Sequence, residues 1–277
     1  MPLYVVATPI GNLGDLTERA REIFASCDAV VAEDTRHSGQ LLHHLGIKKP
    51  FLSLPAFDEA ARAEPILRRL LEGQSLALVT DAGTPAISDP GGLLVRRAVE
   101  AGIVVVPIPG ASAAIAAVSV SGFAEGRFHF VGFLPRKASH RAEMLAEVRG
   151  LRAQLVFYEA PQRLHETLLE LSGVLGDRPA LVARELTKLH EELARGSLTQ
   201  LAAHFGEVVR GEVVIVVSGA PRDEAPADPA ELEREVRERL LRGERPKEIA
   251  EALASLGVHG KREVYQLALQ LKDQLRS

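Results

Sequence analysis

Three stretches rich in glycine, alanine and proline hold the residues best suited to cradle a small ligand. They are Ala7 to Asp15 (ATPIGNLGD), Thr80 to Gly92 (TDAGTPAISDPGG) and Pro107 to Ala113 (PIPGASA). Small residues let backbone N–H and C=O groups approach a ligand closely, and proline fixes the turns that present them. Asp81 has no evident local duty, so its carboxylate is available to a ribose or an amino group. Asp89-Pro90 reads as a helix start with Asp89 as the cap. None of the three stretches contains lysine, no GxGxxG follows the first apolar run, and GxxxxGK[ST] is absent. A standard dinucleotide site and a triphosphate site are therefore disfavoured. Carboxylates among backbone-lined turns suit a zwitterion or a cation, and S-adenosylmethionine is both. Taken singly, each stretch is better explained by a tight turn. Three of them from separate strands favour a shared site.

The elements that must position these turns alternate along the chain. Apolar runs at 3–8, 29–33, 51–54, 76–80 and 103–108 read as strands, and helical spacing falls at 16–27, 38–45, 58–71 and 93–101. That alternation predicts an α/β fold with a mainly parallel sheet, whose ligands bind beyond the carboxyl ends of the strands. A helix of small residues at 112–120 opens a second α/β domain with a mixed sheet. Its strands are expected at 128–133, 155–158, 181–183 and 213–217, and its helices near 141–148 and 163–175. The composition shifts at Pro221-Arg222 to a proline- and acid-rich linker, PRDEAPADPAE. Asp228-Pro229-Ala230-Glu231 then starts a helical appendage of three helices, about 229–242, 246–256 and 261–275, separated by Gly243 and Gly257. The expected domains are 1–109, 110–221 and 222–277.

Composition narrows the functional classes. The 277 residues are 46% hydrophobic and 25% charged, enough to bury a large core without staples. A net charge of −4 is not the footprint of a strongly basic nucleic-acid binder, so any RNA contact must come from local clusters. Cys27 is the single cysteine, which rules out an internal disulfide and a cysteine zinc quartet and suits a reducing cytosol. No metal site is expected. The opening MPLYVVATPIG lacks the basic and long apolar regions of a leader and reads as a first strand. No run is long and apolar enough to span a bilayer.

Seven segments in order carry a resemblance: ATPIGNLGDLT (7–17), AEDTRHSGQLL (32–42), VTDAGTPAISDPG (79–91), PIPGASA (107–113), GFLPRK (132–137), FYEAPQRL (157–164) and ARELTKLHEE (183–192). Together they resemble the tetrapyrrole methylase family, and within it the branch that methylates small-subunit ribosomal RNA. The resemblance covers essentially the whole chain. It implies a class III methyltransferase fold of two α/β domains, the S-adenosylmethionine cleft between them, and a homodimer. Carried over residue by residue, it implies a donor site of Pro9, Ile10, Asp81, Gly83, Thr84, Ile87, Ser88, Ser112 and Ala113. Phe133, Tyr158, Arg184, Glu185 and Leu186 would be walls from the second domain.

The implied reaction moves a methyl group to the 2'-oxygen of a cytidine ribose in the decoding region of 16S ribosomal RNA, free or in the assembled small subunit, in the cytoplasm. Alignment of the reacting atoms can contribute on the order of 7–11 kcal/mol. A positioned base or cation beside the hydroxyl adds roughly 10²–10⁴-fold. Candidate catalytic groups are Glu33, Asp34, Arg36, Glu159, Glu185 and Lys188, with Arg163 and Arg184 beside them. Arg36, Arg163 and Lys188 would hold phosphates or the hydroxyl. The plainer readings are a local Glu33–Arg36 ion pair and a solvated Glu191-Glu192. Basic clusters for RNA are Arg36-His37, Lys48-Lys49, Arg136-Lys137 with His140 and Arg141, and Lys261-Arg262; Arg136-Lys137, just after a strand, is favoured. Arg245 to Ala250 (RPKEIA) resembles a helix-turn-helix entry, but balanced charge gives it little electrostatic support. Two alternatives remain at this level: a precorrin-like tetrapyrrole C-methyltransferase, and a non-catalytic RNA- or ribosome-binding relative. The first usually carries GxGPGD in its first loop, where this chain has ATPIGN.

Overall fold

The computed structural model describes residues 1–206, 210–221, 229–255 and 261–275. Contacts divide the chain into two units, Met1–Ser218 and Gly219–Ser277.

The first unit holds two five-stranded sheets, one in each lobe. The first lobe runs β1 (Leu3–Val6), α1 (Glu18–Ser26), β2 (Ala29–Ala32), α2 (Thr35–His44), β3 (Phe51–Ser53), α3 (Glu59–Leu71), β4 (Leu76–Val79), α4 (Gly92–Glu100) and β5 (Val105–Ile108). The strands lie in the order β3-β2-β4-β1-β5, and every pairing is parallel. Both faces are covered, which is why AVVA in β2 and LALV in β4 are apolar throughout and buried at every position. The pleat divides those residues between two cores. Ala29, Val31, Leu76 and Leu78 pack with Ile66, Leu70 and Leu94 from α3 and α4. Val30, Ala32, Ala77 and Val79 pack with Phe24 and Leu42 from α1 and α2.

The second lobe runs α5 (Ala113–Ser119), β6 (Phe128–Phe133), α6 (Ala138–Val148), β7 (Gln154–Glu159), α7 (Leu164–Leu175), β8 (Pro179–Arg184), β9 (Glu192–Ser197), α8 (Leu198–Phe205) and β10 (Val213–Val217). Its order is β6-β7-β10-β8-β9, with β6 and β7 parallel and the other pairs antiparallel. Leu155, Phe157, Val213, Ile215 and Val217 face α6, α7 and α8, while Val156, Val214 and Val216 face the small residues of α5.

Two expectations change here. Glu192 is not solvated surface: it lies in β9, where its carboxylate accepts from Arg184 at 2.9 Å and meets His204 at 2.9 Å. That strand and α8 went unread, although Ser197-x-x-Gln200 forms a complete capping box at the start of α8. Asp89 does not cap α4. Glu59 of α3 does so instead, with Oε1 accepting from the backbone N–H of Gly91 at 3.0 Å, Leu93 at 2.9 Å and Leu94 at 3.4 Å. A carboxylate there also complements the positive end of the helix dipole. Asp89 instead faces the cavity between the lobes, where Thr80 bonds to it.

The second unit contains α9 (Pro229–Leu241), α10 (Pro246–Ser255) and α11 (Lys261–Gln274). Its core is Leu232, Val236, Ile249, Ala250, Leu253, Val264, Ala268 and Leu271. The expected linker at 222–228 with its Asp228 cap, Gly257, and the side chain of Lys261 lie outside the described residues. No helix among the described residues is long and apolar enough to cross a membrane.

Candidate functional site

Four strands of the first lobe end at one edge, and the segments that leave them form one polar floor. Thr8 and Gly83 exchange backbone hydrogen bonds, Thr8 N to Gly83 O at 2.9 Å and Gly83 N to Thr8 O at 3.1 Å, which ties the segment after β1 to the one after β4. The Thr8 hydroxyl donates to Thr80 O at 3.1 Å. Thr84 donates its hydroxyl to Ala111 O at 3.4 Å, which joins the segment after β5. Between these anchors Ala86 and Ser88 hold φ of 66° and 65°, a left-handed conformation costly for residues with a Cβ. Strain of this kind persists where surrounding structure over-determines it, often at ligand clamps.

The second lobe closes the space. Tyr158, near the end of β7, accepts from Ala114 N at 3.3 Å. Its ring meets Phe130 edge-on at 5.0 Å and Phe133 at 5.6 Å. Gly132 sits at a register shift between β6 and β7 with φ +77°, and a Cβ there would stand 3.3 Å from Ser88 Oγ. Glycine at this position lets the two lobes approach.

The cleft between the lobes measures about 500 Å³, within the range of small-molecule sites. Of the expected donor residues, Ile10, Asp81, Gly83, Thr84, Ile87, Ser88, Ser112, Ala113, Phe133, Tyr158 and Leu186 line it. Pro9 lines a neighbouring cavity instead. Arg184 is drawn away by Glu192, its guanidinium 2.9 Å from that carboxylate. Of the expected catalytic residues, Glu33 and Glu159 line the cavity, and Asp34, Arg36, Glu185 and Lys188 do not.

Each polar group outside has a visible occupation. Asp34 caps α2 by accepting from Arg36 N at 2.8 Å, and its ion pair is with Arg36 at 3.0 Å; the expected Glu33–Arg36 pair is not formed. Hydrogen bonds from Arg36 hold the Asp34 carboxyl down to about 2. Glu185, at φ 51°, accepts from Lys188 at 2.8 Å and from Glu212 N at 3.0 Å, and the Lys188 bond holds its carboxyl below the usual range. Inside, Glu159 is fully engaged as well. It accepts from Ala160 N at 2.7 Å and from the Thr167 hydroxyl at 2.7 Å, and Arg163 stands 3.5 Å away.

The electrostatics are one-sided. Glu33, Asp81, Asp89, Glu159 and Glu212 line the cavity, and no lysine, arginine or histidine is among the described lining residues. Burial pushes the Glu33 carboxyl up, and Asp81 and Asp89 push it further. Burial also raises Asp89, and a bond from Thr80 only partly offsets this. Glu159 and Glu212 have Arg163 and Lys188 as partners, but Glu33, Asp81 and Asp89 have no ion pair among the described residues, and such carboxylates in a partly dry space favour a positively charged occupant. Aromatic faces at Phe133 and Tyr158 favour the same kind of ligand. The residues present thus fit a sulfonium with an amino group and a nucleoside, and they do not fit a polyphosphate.

Several lining residues escaped the sequence reading, notably Glu212, Val213 and Val214. Glu212 precedes β10, which runs antiparallel to β7 and β8, so Val213 pairs with both Glu159 and Arg184. The amino end of β10 therefore arrives where its neighbours' carboxyl ends lie. A run such as VVIVV carries no mark of its direction, so no local signal could have located Glu212.

Comparisons with known proteins agree on one group. A family model described as Tetrapyrrole (Corrin/Porphyrin) Methylases matches residues 2–202. A protein of Synechocystis sp. named ribosomal RNA small subunit methyltransferase I is 44% identical, covering 98% of this chain and 98% of its own length. One of the same name from Xylella fastidiosa is 51% identical over 80% of this chain and 83% of its own. A crystal structure of diphthine synthase superposes with a TM-score of 0.63 over 79% of this chain and 90% of that one, at 16% identity, which speaks to the fold.

Proposed function

The chain belongs to the tetrapyrrole methylase family, and from that premise we propose that it methylates ribosomal RNA of the small subunit with S-adenosylmethionine. The finer reading is transfer to the 2'-hydroxyl of a cytidine ribose in 16S RNA, by a cytoplasmic homodimer. One observation carries the chemistry: a cavity between the lobes where Glu33, Asp81 and Asp89 face inward without an ion-pair partner among the described residues, and where no described lysine, arginine or histidine lines the wall. The substrate reading is supported by the relatives' name and by their match over nearly the whole chain. The tetrapyrrole C-methyltransferase alternative has no comparable support.

When bound, S-adenosylmethionine supplies an already activated methyl group on sulfur. The segments around Gly83, Thr84 and Ser112 would hold its polar ends, and Phe133, Tyr158 and Leu186 would exclude water. Glu33 is the group proposed to take the hydroxyl proton. It faces the cavity, its carboxylate accepts only a long bond from the Thr80 hydroxyl at 3.4 Å among the described residues, and its environment favours protonation. Glu159 is too engaged to serve. A base with an elevated pKa suits removal of a proton from a weakly acidic hydroxyl.

The test is to incubate the protein with labelled donor and either bare 16S RNA or small subunits lacking the modification, then map the labelled nucleotide. Label on a cytidine ribose supports the reading, and label on a base or on neither substrate rejects it. Calorimetry with the donor alone separates a non-catalytic relative, which would show no binding.

A further inference from the structure

A second cavity of about 420 Å³ adjoins the first, and the two share Ile10, Asp81, Ala82 and Glu212 as a common wall. Its outer side is one face of α2. His37, Gln40 and His44 lie on successive turns at i, i+3 and i+7 and all border the cavity. No hydrogen bond to another described residue occupies any of the three side chains. Leu13 and Leu41 supply apolar contact beside them.

Lys188 of the second lobe stands on the opposite side. Its stem lies against Gly11, where a Cβ would come within 2.5 Å of the lysine Cγ. Its ammonium is held between Glu185 at 2.8 Å and Glu212 at 3.0 Å. The lysine is thus held on the wall of the second cavity, against the shared residue Glu212, rather than left in solvent.

We propose that this second cavity receives the acceptor nucleotide, turned out of its RNA strand, and that the His37–Gln40–His44 face of α2 reads its base. The inference rests on the RNA-methylating reading above. Sequence-specific RNA recognition mostly targets unstacked bases, whose edges are hydrogen-bonded and whose faces are stacked on flat side chains. Gln40 offers a donor and an acceptor on one amide, and the imidazoles offer flat faces with a polar edge. The shared wall puts a ribose seated here next to the carboxylate-lined cavity, and Lys188 stands where a hydroxyl or phosphate oxygen of that nucleotide would pass. The surface cluster Arg136-Lys137 lines neither cavity, so it is not part of this pocket.

The test uses the full chain with Gln40→Ala, His44→Ala and the double substitution, all at exposed positions that leave the core untouched. Three quantities are read: donor affinity by calorimetry, small-subunit binding without donor, and kcat/KM for transfer to RNA carrying cytidine or uridine at the mapped site. The expected result is unchanged donor affinity, weaker subunit binding, a tenfold or greater fall in kcat/KM for the double variant, and reduced cytidine-over-uridine preference for Gln40→Ala. Unchanged kcat/KM and preference in all three variants, with an active parent, overturns the pocket while leaving the RNA-methylating reading intact. A fall in donor affinity also overturns it, because the cavity would then belong to the donor. A parent inactive on both RNA substrates overturns the underlying reading, and this inference with it.

Discussion

The two lobes of the first unit build their shares of one cavity in different ways. The first lobe is an all-parallel sheet whose strands end together, and it contributes turns, carboxylates and strained backbone. The second is a mixed sheet, and it contributes aromatic and aliphatic walls at Phe133, Tyr158, Leu186 and Val214, with the carboxylates of Glu159 and Glu212 already held by Arg163, Thr167 and Lys188. A parallel sheet collects like ends on one side, so its ligand groups come from successive connections. A mixed sheet brings opposite strand ends to one edge, so its contribution combines residues that follow β7 and β8 with residues that precede β10. The comparison teaches a division of labour: charge and chemistry from the first lobe, enclosure from the second.

That division can be broken by experiment. Glu33→Gln should lower the rate at saturating donor and RNA by roughly 10²–10⁴-fold, as loss of a general base does, with a smaller change in donor affinity. Single-turnover methyl transfer measures it, and an unchanged rate would return the proton-accepting role to another group. Phe133→Ala should act the other way, weakening donor binding about tenfold (~1.4 kcal/mol) with a smaller change in the chemical step. Calorimetry decides, and a variant that binds normally but reacts slowly would erase the distinction between lobes.

Acidity offers a subtler probe. Glu33 and Asp89 are both raised, so they protonate at a higher pH than ordinary carboxylates as the medium is acidified. Affinity for the sulfonium donor should therefore decline on acidification before affinity for its uncharged-sulfur product does. Parallel loss of both would show that the cavity's charge does not distinguish them. The sign for stability is the reverse: a carboxyl with a raised folded-state pKa favours folding below its unfolded value, and that benefit is lost as pH rises through the folded value. The Glu33→Gln protein should accordingly melt higher than its parent at neutral pH, with the gap closing in acid. The smallest expected effect is structural. Glu59→Ala removes the cap of α4 and should cost about 1 kcal/mol, read as a melting temperature lower by roughly 2–4 °C. An unchanged melting temperature would mean that water replaces the Glu59 carboxylate at no cost.

Much of the first lobe was legible in advance because its signals are local. Continuous apolar runs located β1, β2, β4 and β5, and the glycine- and proline-rich stretches after β1, β4 and β5 are the ones that meet in the floor. The second lobe was less legible. β9 reads ELARGS, which has no apolar run, and it is a strand because β8 pairs with it along its whole length. Asp89 shows the same limit within the first lobe. Asp-Pro is a good local helix start, but Glu59, thirty residues earlier, occupies the N–H groups that Asp89 would have taken. Asp34 shows the converse: its cap on α2 was missed because the helix begins three residues before the expected boundary.

What the sequence determined by itself was the inventory: alternating elements, ligand-facing turns of small residues, the absence of phosphate-binding motifs, and a set of acids near those turns. Periodicity, turn chemistry and capping depend on neighbours a few residues apart, so they can be read in one dimension. The tertiary structure alone decided which acids share the cavity, that Arg184 turns to Glu192 and away from it, and that Glu212 enters from a strand running the other way. Those outcomes depend on strand direction and on pairings across tens of residues, where many arrangements satisfy the local rules and packing selects one.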